Sequence, residues 1–327
     1  MDTILARTEE RLRLSEGSQS RGHEPVLCGP VVAYLADGRK GAFLDATFGG
    51  GGHTRALLEA NPENTVVALD CDPEAIERGR ILQADYPGRL TLHHMNFEDL
   101  GDIEESDFVG ILFDFGVSSF HFDRGYRGFS FREDGPLDMR LNPETGISAS
   151  QFLKTADHQG LVEAVRNFGE EPRWRRIVNA IESARGGDAL ERTLSFAGLI
   201  EEAVGGRRPT DRIHPATRTF QGVRIAVNRE LAVIEKALPE AFDKLLQGGR
   251  MAAISFHSLE DRIVKRFFRR MAGRPEHGRD SRPGQFRIRQ ASLVTRKPVI
   301  ADEEEIVRNP RSRSAKLRIL EKERRAA

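Results

Sequence analysis

The sequence predicts an α/β fold: a parallel, doubly wound sheet that carries an inserted helical domain. Three observations lead there. The stretch Phe43-Leu44-Asp45-Ala46-Thr47-Phe48-Gly49-Gly50-Gly51-Gly52-His53-Thr54 reads as a short buried strand, four glycines and the start of a helix. Strand-like and helix-like segments then alternate regularly as far as Asp114. After Asp114 the alternation stops, and residues 148–204 read as several short helices before the pattern resumes.

Composition sets the outer limits. The chain has 327 residues, enough for two domains or one large domain with an insertion. Charged residues make up 31% and the mean hydropathy is −0.47, which suits a soluble globular protein. No apolar run reaches the roughly 18 residues that a membrane helix needs, so no membrane association is expected. Residues 1–22 are rich in Arg, Glu and Ser and lack an apolar core of signal-peptide length, so a disordered leader is expected there. Cys28 and Cys71 belong to no Cys/His cluster, so neither a disulfide framework nor a metal site is expected, and the cytoplasm is the default compartment. Zero net charge hides a split. Residues 1–160 hold 27 acidic and 15 basic residues; residues 161–327 hold 23 and 35. The stretch 261–300 has 12 basic against 3 acidic residues, interleaved with Phe267, Phe268 and Phe286, a pattern that suits RNA contact.

In chain order, Val31 to Leu35 reads as a short helix, and the glycine loop follows the first strand. Glycine permits a sharp turn and close approach of a ligand, and the following helix aims backbone N–H groups into that turn. A dinucleotide site wants a third glycine where Thr54 stands. Asp45 would repel a pyrophosphate but suit a ligand carrying a sulfonium and an amino group, which favours S-adenosylmethionine over NAD. Thr65–Asp70 is the second strand, and Asp70 lies 18 residues past Gly52, where a carboxylate holds ribose hydroxyls. Asp72 fits the cap of the next helix, which runs to about Ala84, and leaves Asp70 for the ligand. Leu90–His94 is the third strand; Phe97 after it suits either adenine stacking or core packing. Phe108–Phe113 is the fourth, ending on Asp114. Gly116 to Arg140 is rich in Gly, Ser, Phe and Arg. A long helix is expected over Gln221–Leu238, on the stripe Val223, Val227, Leu231, Ile234 and Leu238. Gly248-Gly249 should end the next helix, Met251–Ser255 is strand five, Ser258–Met271 a basic helix and Leu317–Leu320 a late strand. The α/β domain is therefore placed at 23–140 and 221–327, and the helical insertion at 141–220.

These motifs together resemble the bacterial cytosine-N4 methyltransferases of small-subunit ribosomal RNA, the RsmH or MraW type. The matching segments are His23–Leu27, Thr47–His53, Asp114–Ser119, Arg127–Phe131, Gly135–Arg140, His214–Glu230, Ile254–Arg266 and Asn309–Arg318, so the likeness covers nearly all the chain after His23. The run Ser255-Phe256-His257-Ser258-Leu259-Glu260-Asp261-Arg262 is especially specific. The resemblance implies a class I S-adenosylmethionine-dependent methyltransferase domain, Rossmann-like, with an inserted helical substrate domain. It implies methylation of one decoding-region cytidine of 16S rRNA (position 1402) on its exocyclic amine, with the small ribosomal subunit as partner and oligomeric state open. The implied cofactor contacts are Gly51, Gly52, His53, Asp70, Phe97 and Asp114. The family's Pro-Gln after Val-Ser-Ser is Phe120-His121 here, so His121 stands where a cofactor-contacting Gln is expected. Imidazole can give or take one hydrogen bond there.

The chemistry needs an acceptor. A cytosine amine shares its lone pair with the ring, and a carboxylate on its hydrogens would localise that pair and take the proton. Asp114 at the strand tip and Asp138 in the Phe-rich loop are the catalytic candidates; a loop ion pair with Arg140 is the other reading of Asp138. Phe129 or Phe131 could stack on a flipped base. Lys265, Arg266, Arg269 and Arg270 are expected phosphate contacts, and His257 is expected to be structural. Three rival readings fit the sequence less well. An NAD-linked dehydrogenase fails at Thr54. A non-catalytic RNA-binding or ribosome-assembly factor predicts a degraded cofactor loop. The third is a methyltransferase acting on protein or DNA; a DNA N4 methyltransferase would carry Pro-Pro-Tyr where Phe115-Gly116-Val117 stands.

Overall fold

The computed structural model describes residues 24–36, 38–207 and 213–324. The leader expected over residues 1–22 lies outside the described residues. The chain divides into two units, one ending at Gly116 and resuming at Leu231, the other spanning Val117–Glu230.

The first unit is built on a seven-stranded sheet. Its strands are β1 (Ala42–Asp45), β2 (Thr65–Asp70), β3 (Leu90–His94), β4 (Phe108–Asp114), β5 (Leu245–Ser255), β6 (Ala291–Leu293) and β7 (Lys316–Lys322). The order is β3-β2-β1-β4-β5-β7-β6, parallel through β5, with β7 antiparallel to β5 and β6 antiparallel to β7. Successive side chains on a strand point to opposite faces. Phe43, Leu112 and Ile254 accordingly pack with Val31, Leu35, Leu57 and Leu58. Leu44, Ile111, Phe113 and Met251 pack with Leu238, Phe267 and Phe268 on the other side. Two buried faces are what a parallel sheet requires, and they explain strands that are apolar throughout.

Local chemistry sets the helix ends. Asp72 accepts a hydrogen bond from Glu74 N, and Pro73 opens helix Pro73–Asp85. His257 and Glu260 form a reciprocal capping box at the start of helix Ser258–Met271. That helix carries Glu260 and Asp261 in its first turn and Arg269 and Arg270 in its last, the arrangement its dipole favours.

Two sequence expectations need correction. Gln221–Leu238 is not one helix: Ala216–Asn228 and Glu230–Lys244 are separated at Arg229, whose φ is 52°. The Asn228 amide donates to Met139 O (2.8 Å) and Arg224 O (2.9 Å), and Arg224 forks onto Glu230 across the break. The apolar stripe runs on either side of a one-residue interruption, so its period does not register it. Gly248-Gly249 does not end a helix either. Both lie inside β5, where the register against β4 shifts between Phe108 opposite Leu245 and Gly110 opposite Arg250. The helix before it ends at Lys244. Strand β6 was not expected.

The second unit packs helices Ala149–Thr155, His158–Val162, Trp174–Ser183, Thr193–Ala203 and Ala216–Asn228, with a π-helical turn at Glu163–Phe168. Its core includes Leu153, Leu161, Val165, Ile177, Phe196, Phe220 and Val223. Phe129, Leu137 and Met139 belong to the same core. This is why the unit starts at Val117 and ends at Glu230, rather than at the 141 and 220 read from the sequence. No helix among the described residues is long and apolar enough to cross a membrane.

Candidate active site

The carboxyl edge of the sheet is held together by side chains of the loop itself. Asp45, at the end of β1, is fully buried. Its Oδ1 accepts from Thr47 N (3.1 Å) and its Oδ2 from the Thr54 hydroxyl (2.6 Å), tying the strand end to the first turn of helix Gly52–Ala60. Burial pushes its pKa up, against the Thr54 bond and the nearby His53. The sequence reading gave Asp45 to the ligand's sulfonium and amino group. The structure corrects this: both oxygens are engaged inside the loop and no part of the side chain is exposed.

The glycines are shaped by what lies beneath them. Gly51 has φ 76°, and a Cβ there would sit 2.7 Å from the Phe48 ring and 3.0 Å from Leu82. A Cβ on Gly52 would sit 2.9 Å from Pro25. Gly49 N donates to Asp70 Oδ2 (2.7 Å), and Asp70 Oδ1 accepts from Asp72 N (2.8 Å). Asp72 is the helix cap, as expected, but Asp70 is not left wholly to a ligand. It also fixes the loop through both carboxylate oxygens.

Asp114, at the end of β4, is positioned from the same loop: its backbone N donates to Thr47 Oγ1 (2.7 Å). Its Oδ2 lies 3.5 Å from Nε2 of the buried His53. Its Oδ1 is buried and meets no hydrogen-bond donor among the described residues, and neither ring nitrogen of His53 has a well-aligned partner there. Burial, the largest influence on His53, favours the neutral ring. Asp114 and Cys28 outweigh it and push the pKa up to about 10. Phe97 sits half-buried with its ring 5.8 Å from Phe113 and 5.9 Å from Phe115, centroid to centroid.

Gly51, Gly52, His53, Asp70, Phe97 and Asp114 thus all belong to the first unit. His121 and Asp138 belong to the second. His121 is buried against Phe129 at 5.0 Å. Asp138 is forked by Arg140, with Oδ1 taking Nε (2.8 Å) and Oδ2 taking Nη2 (2.7 Å), so the loop ion pair is what forms. Phe129 is a core residue, and the partly buried Phe131 packs on His214 and Phe220. His257 caps helix Ser258–Met271. Sequence reasoning missed Thr47, which positions Asp114, and Pro25 and Cys28, which lie against Gly52 and His53. The signal for Thr47 was its place two residues after the strand-ending Asp45.

The model of the MraW methylase family matches residues 20–323. The chain belongs to the MraW methylase family. Among its relatives, the ribosomal RNA small subunit methyltransferase H of Thermomicrobium roseum is 47% identical over 96% of this chain and 98% of its own length. The protein of the same name from Nitrosococcus oceani is 44% identical over 94% of this chain and 99% of its own.

Proposed function

We propose that the chain methylates the exocyclic N4 amine of a cytidine in small-subunit ribosomal RNA, with S-adenosylmethionine as methyl donor, in the cytoplasm. The observation that carries this reading is Asp114 Oδ1, a buried oxygen with no donor from the described residues, beside the glycine loop. Leaving such an atom unmet costs about 1–3 kcal/mol. A ligand donor at the strand edge would meet it.

The residues fit the cofactor. The Asp70 carboxylate at the end of β2 suits ribose hydroxyls, Phe97 suits the adenine, and Gly51, Gly52 and His53 line the turn. When bound, the cofactor supplies an electrophilic methyl group on a sulfonium. His53, held protonated, steadies Asp114 Oδ2 and leaves Oδ1 for the reactant. Asp114 accepts a hydrogen bond from the cytosine amine, localises the nitrogen lone pair, and takes the proton as the N–C bond forms. Asp138, already forked by Arg140, ranks behind it.

Lys265, Arg266 and Arg270 are exposed on helix Ser258–Met271 and suit phosphate contacts; Arg269 instead donates to Pro275 O. A non-catalytic assembly factor would tolerate a decayed loop, whereas here Asp45, Thr47, Asp70 and Asp114 all hold it in place. The test is nucleoside mass spectrometry of small subunits from a strain lacking the enzyme, after incubation with the protein and S-adenosylmethionine. N4-methylcytidine is expected. Its absence, with cofactor bound, would contradict the reading.

A further inference from the structure

Helix Ser258–Met271 is followed by a loop that leaves and returns to one point. Ala272 pairs with Arg289 in an isolated antiparallel bridge, and Gln290 N donates to Met271 O (2.8 Å). A loop with such close ends is compact and held by its own side chains. Asp280 is the clasp here. Its carboxylate takes Arg282 Nε (3.1 Å) and Nη2 (3.0 Å), Arg287 Nη1 (2.8 Å) and the backbone N of Glu276 (3.0 Å). Arg282 also reaches Glu276 (2.8 Å), and Arg270 lies 3.8 Å from the same carboxylate. Arg282 and Arg287 hold the Asp280 carboxyl well below the usual range.

The clasp sets which side chains face out. Arg287 is turned inward, its side chain only 8% exposed against an Asp280 that is 6% exposed. Its two neighbours, Phe286 at the end of the 3-10 turn Gly284–Phe286 and Ile288, face solvent instead. Phe286 is 72% exposed and Ile288 is 74% exposed. Phe267 and Phe268, grouped with Phe286 in the sequence reading, are instead core residues of the helix. Phe286 is therefore the aromatic of that basic stretch that the fold presents to solvent.

We propose that the loop Gly273–Arg289 is a docking platform for unpaired RNA, with Phe286 stacking on a base beside Ile288. The proposal rests on the reading of the substrate as RNA and adds a contact outside the cofactor edge. Charge complementarity favours this occupant. The loop's two acids, Glu276 and Asp280, are both engaged by arginines, while Arg274 and Arg279 are exposed around them. Size favours it too. A stable protein interface buries roughly 800 Å² per partner, more than two apolar side chains supply. Stacking needs one ring, tolerates any base and is matched by a basic groove for the backbone.

The test uses the full chain with small subunits lacking the methyl group. Phe286→Ala combined with Ile288→Ser should raise KM for the subunit about tenfold or more. Turnover at saturating subunit, cofactor affinity and melting temperature should stay at parental values, and Phe286→Trp should keep the parental KM. An unchanged KM in the double variant would overturn the proposal. So would an unchanged KM with loss of a parental dimer in sedimentation, which would assign the platform to a second copy. If the parent itself does not methylate the subunits, the functional reading fails separately. Filter retention of parent and double variant on the same subunits then decides: weaker retention of the variant supports the platform, and equal retention sinks it.

Discussion

The loop Thr47–Gly52 and the segment 117–140 are both rich in glycine, phenylalanine and polar side chains, and each follows a strand of the sheet. They use these residues differently. In the first, Asp45, Thr47 and Asp70 hold the backbone in place, and the result is a strand edge where Asp114 Oδ1 stays unmet. In the second, Arg140 forks Asp138, Arg127 donates to the carbonyls of Arg140 (3.1 Å) and Leu141 (2.8 Å), and Phe129 and Met139 are buried. A buried polar atom without a partner is costly, so one at a sheet edge beside a glycine loop is a candidate place for a ligand. The stretch Arg127–Leu141, whose aspartate and arginines satisfy one another and the local carbonyls, reads as scaffold.

Replacing a glycine in each loop tests that contrast with the largest expected effect. Gly51→Ala adds a Cβ at φ 76°, against the Phe48 ring. The left-handed backbone costs roughly 1–2 kcal/mol and overpacking roughly 1–3 more, so stability and cofactor binding should both fall sharply. Gly128→Ala has φ 73° and a Cβ 2.4 Å from Pro136 O. It should destabilise to a similar degree while leaving the cofactor Kd within about twofold of the parent. Thermal denaturation and calorimetry read both, and equal loss of cofactor affinity in the two variants would break the contrast.

Asp70→Ala removes the acceptor that holds Gly49 and, in this account, the ribose. Losing a charge-assisted hydrogen bond costs about 1.5–3 kcal/mol, so cofactor affinity should weaken about tenfold to a hundredfold. Calorimetry giving the parental Kd on a folded variant would remove Asp70 from the site.

A pH profile sharpens the role of His53. Its folded pKa lies above the unfolded value of 6.5. The folded chain therefore keeps a proton that the unfolded chain has released. That contribution is full below pH 6.5 and is lost as pH rises toward about 10. Melting temperature followed from pH 6 to 10 should decline less steeply in His53→Gln than in the parent. Identical slopes would mean that His53 is not held charged.

Much of this was legible beforehand. β2 and β3 start and stop where their apolar, β-branched runs do, and Asp72 and Pro73 mark a helix start by their own chemistry. Arg229 was not legible, because its left-handed turn comes from contacts of Asn228 and Arg224 that no local pattern announces. Gly248-Gly249 misled because glycines that usually end helices here accommodate a register shift within a strand. Position at the sheet edge drew attention to both Asp45 and Asp114. It could not tell which would be closed in by Thr47 and Thr54, since that depends on where the loop returns.

The most direct test of Asp114 as the amine's acceptor is single-turnover methylation of undermethylated small subunits by Asp114→Asn, run at rising S-adenosylmethionine and beside Asp138→Asn. The amide keeps an acceptor oxygen but not the charge. The account predicts a loss on the order of a hundredfold or more for Asp114→Asn that persists at saturating cofactor, the usual scale for general-base assistance, and a much smaller loss for Asp138→Asn. Full rescue of Asp114→Asn at saturating cofactor would contradict it, reducing Asp114 to a cofactor contact and making Asp138 the better candidate.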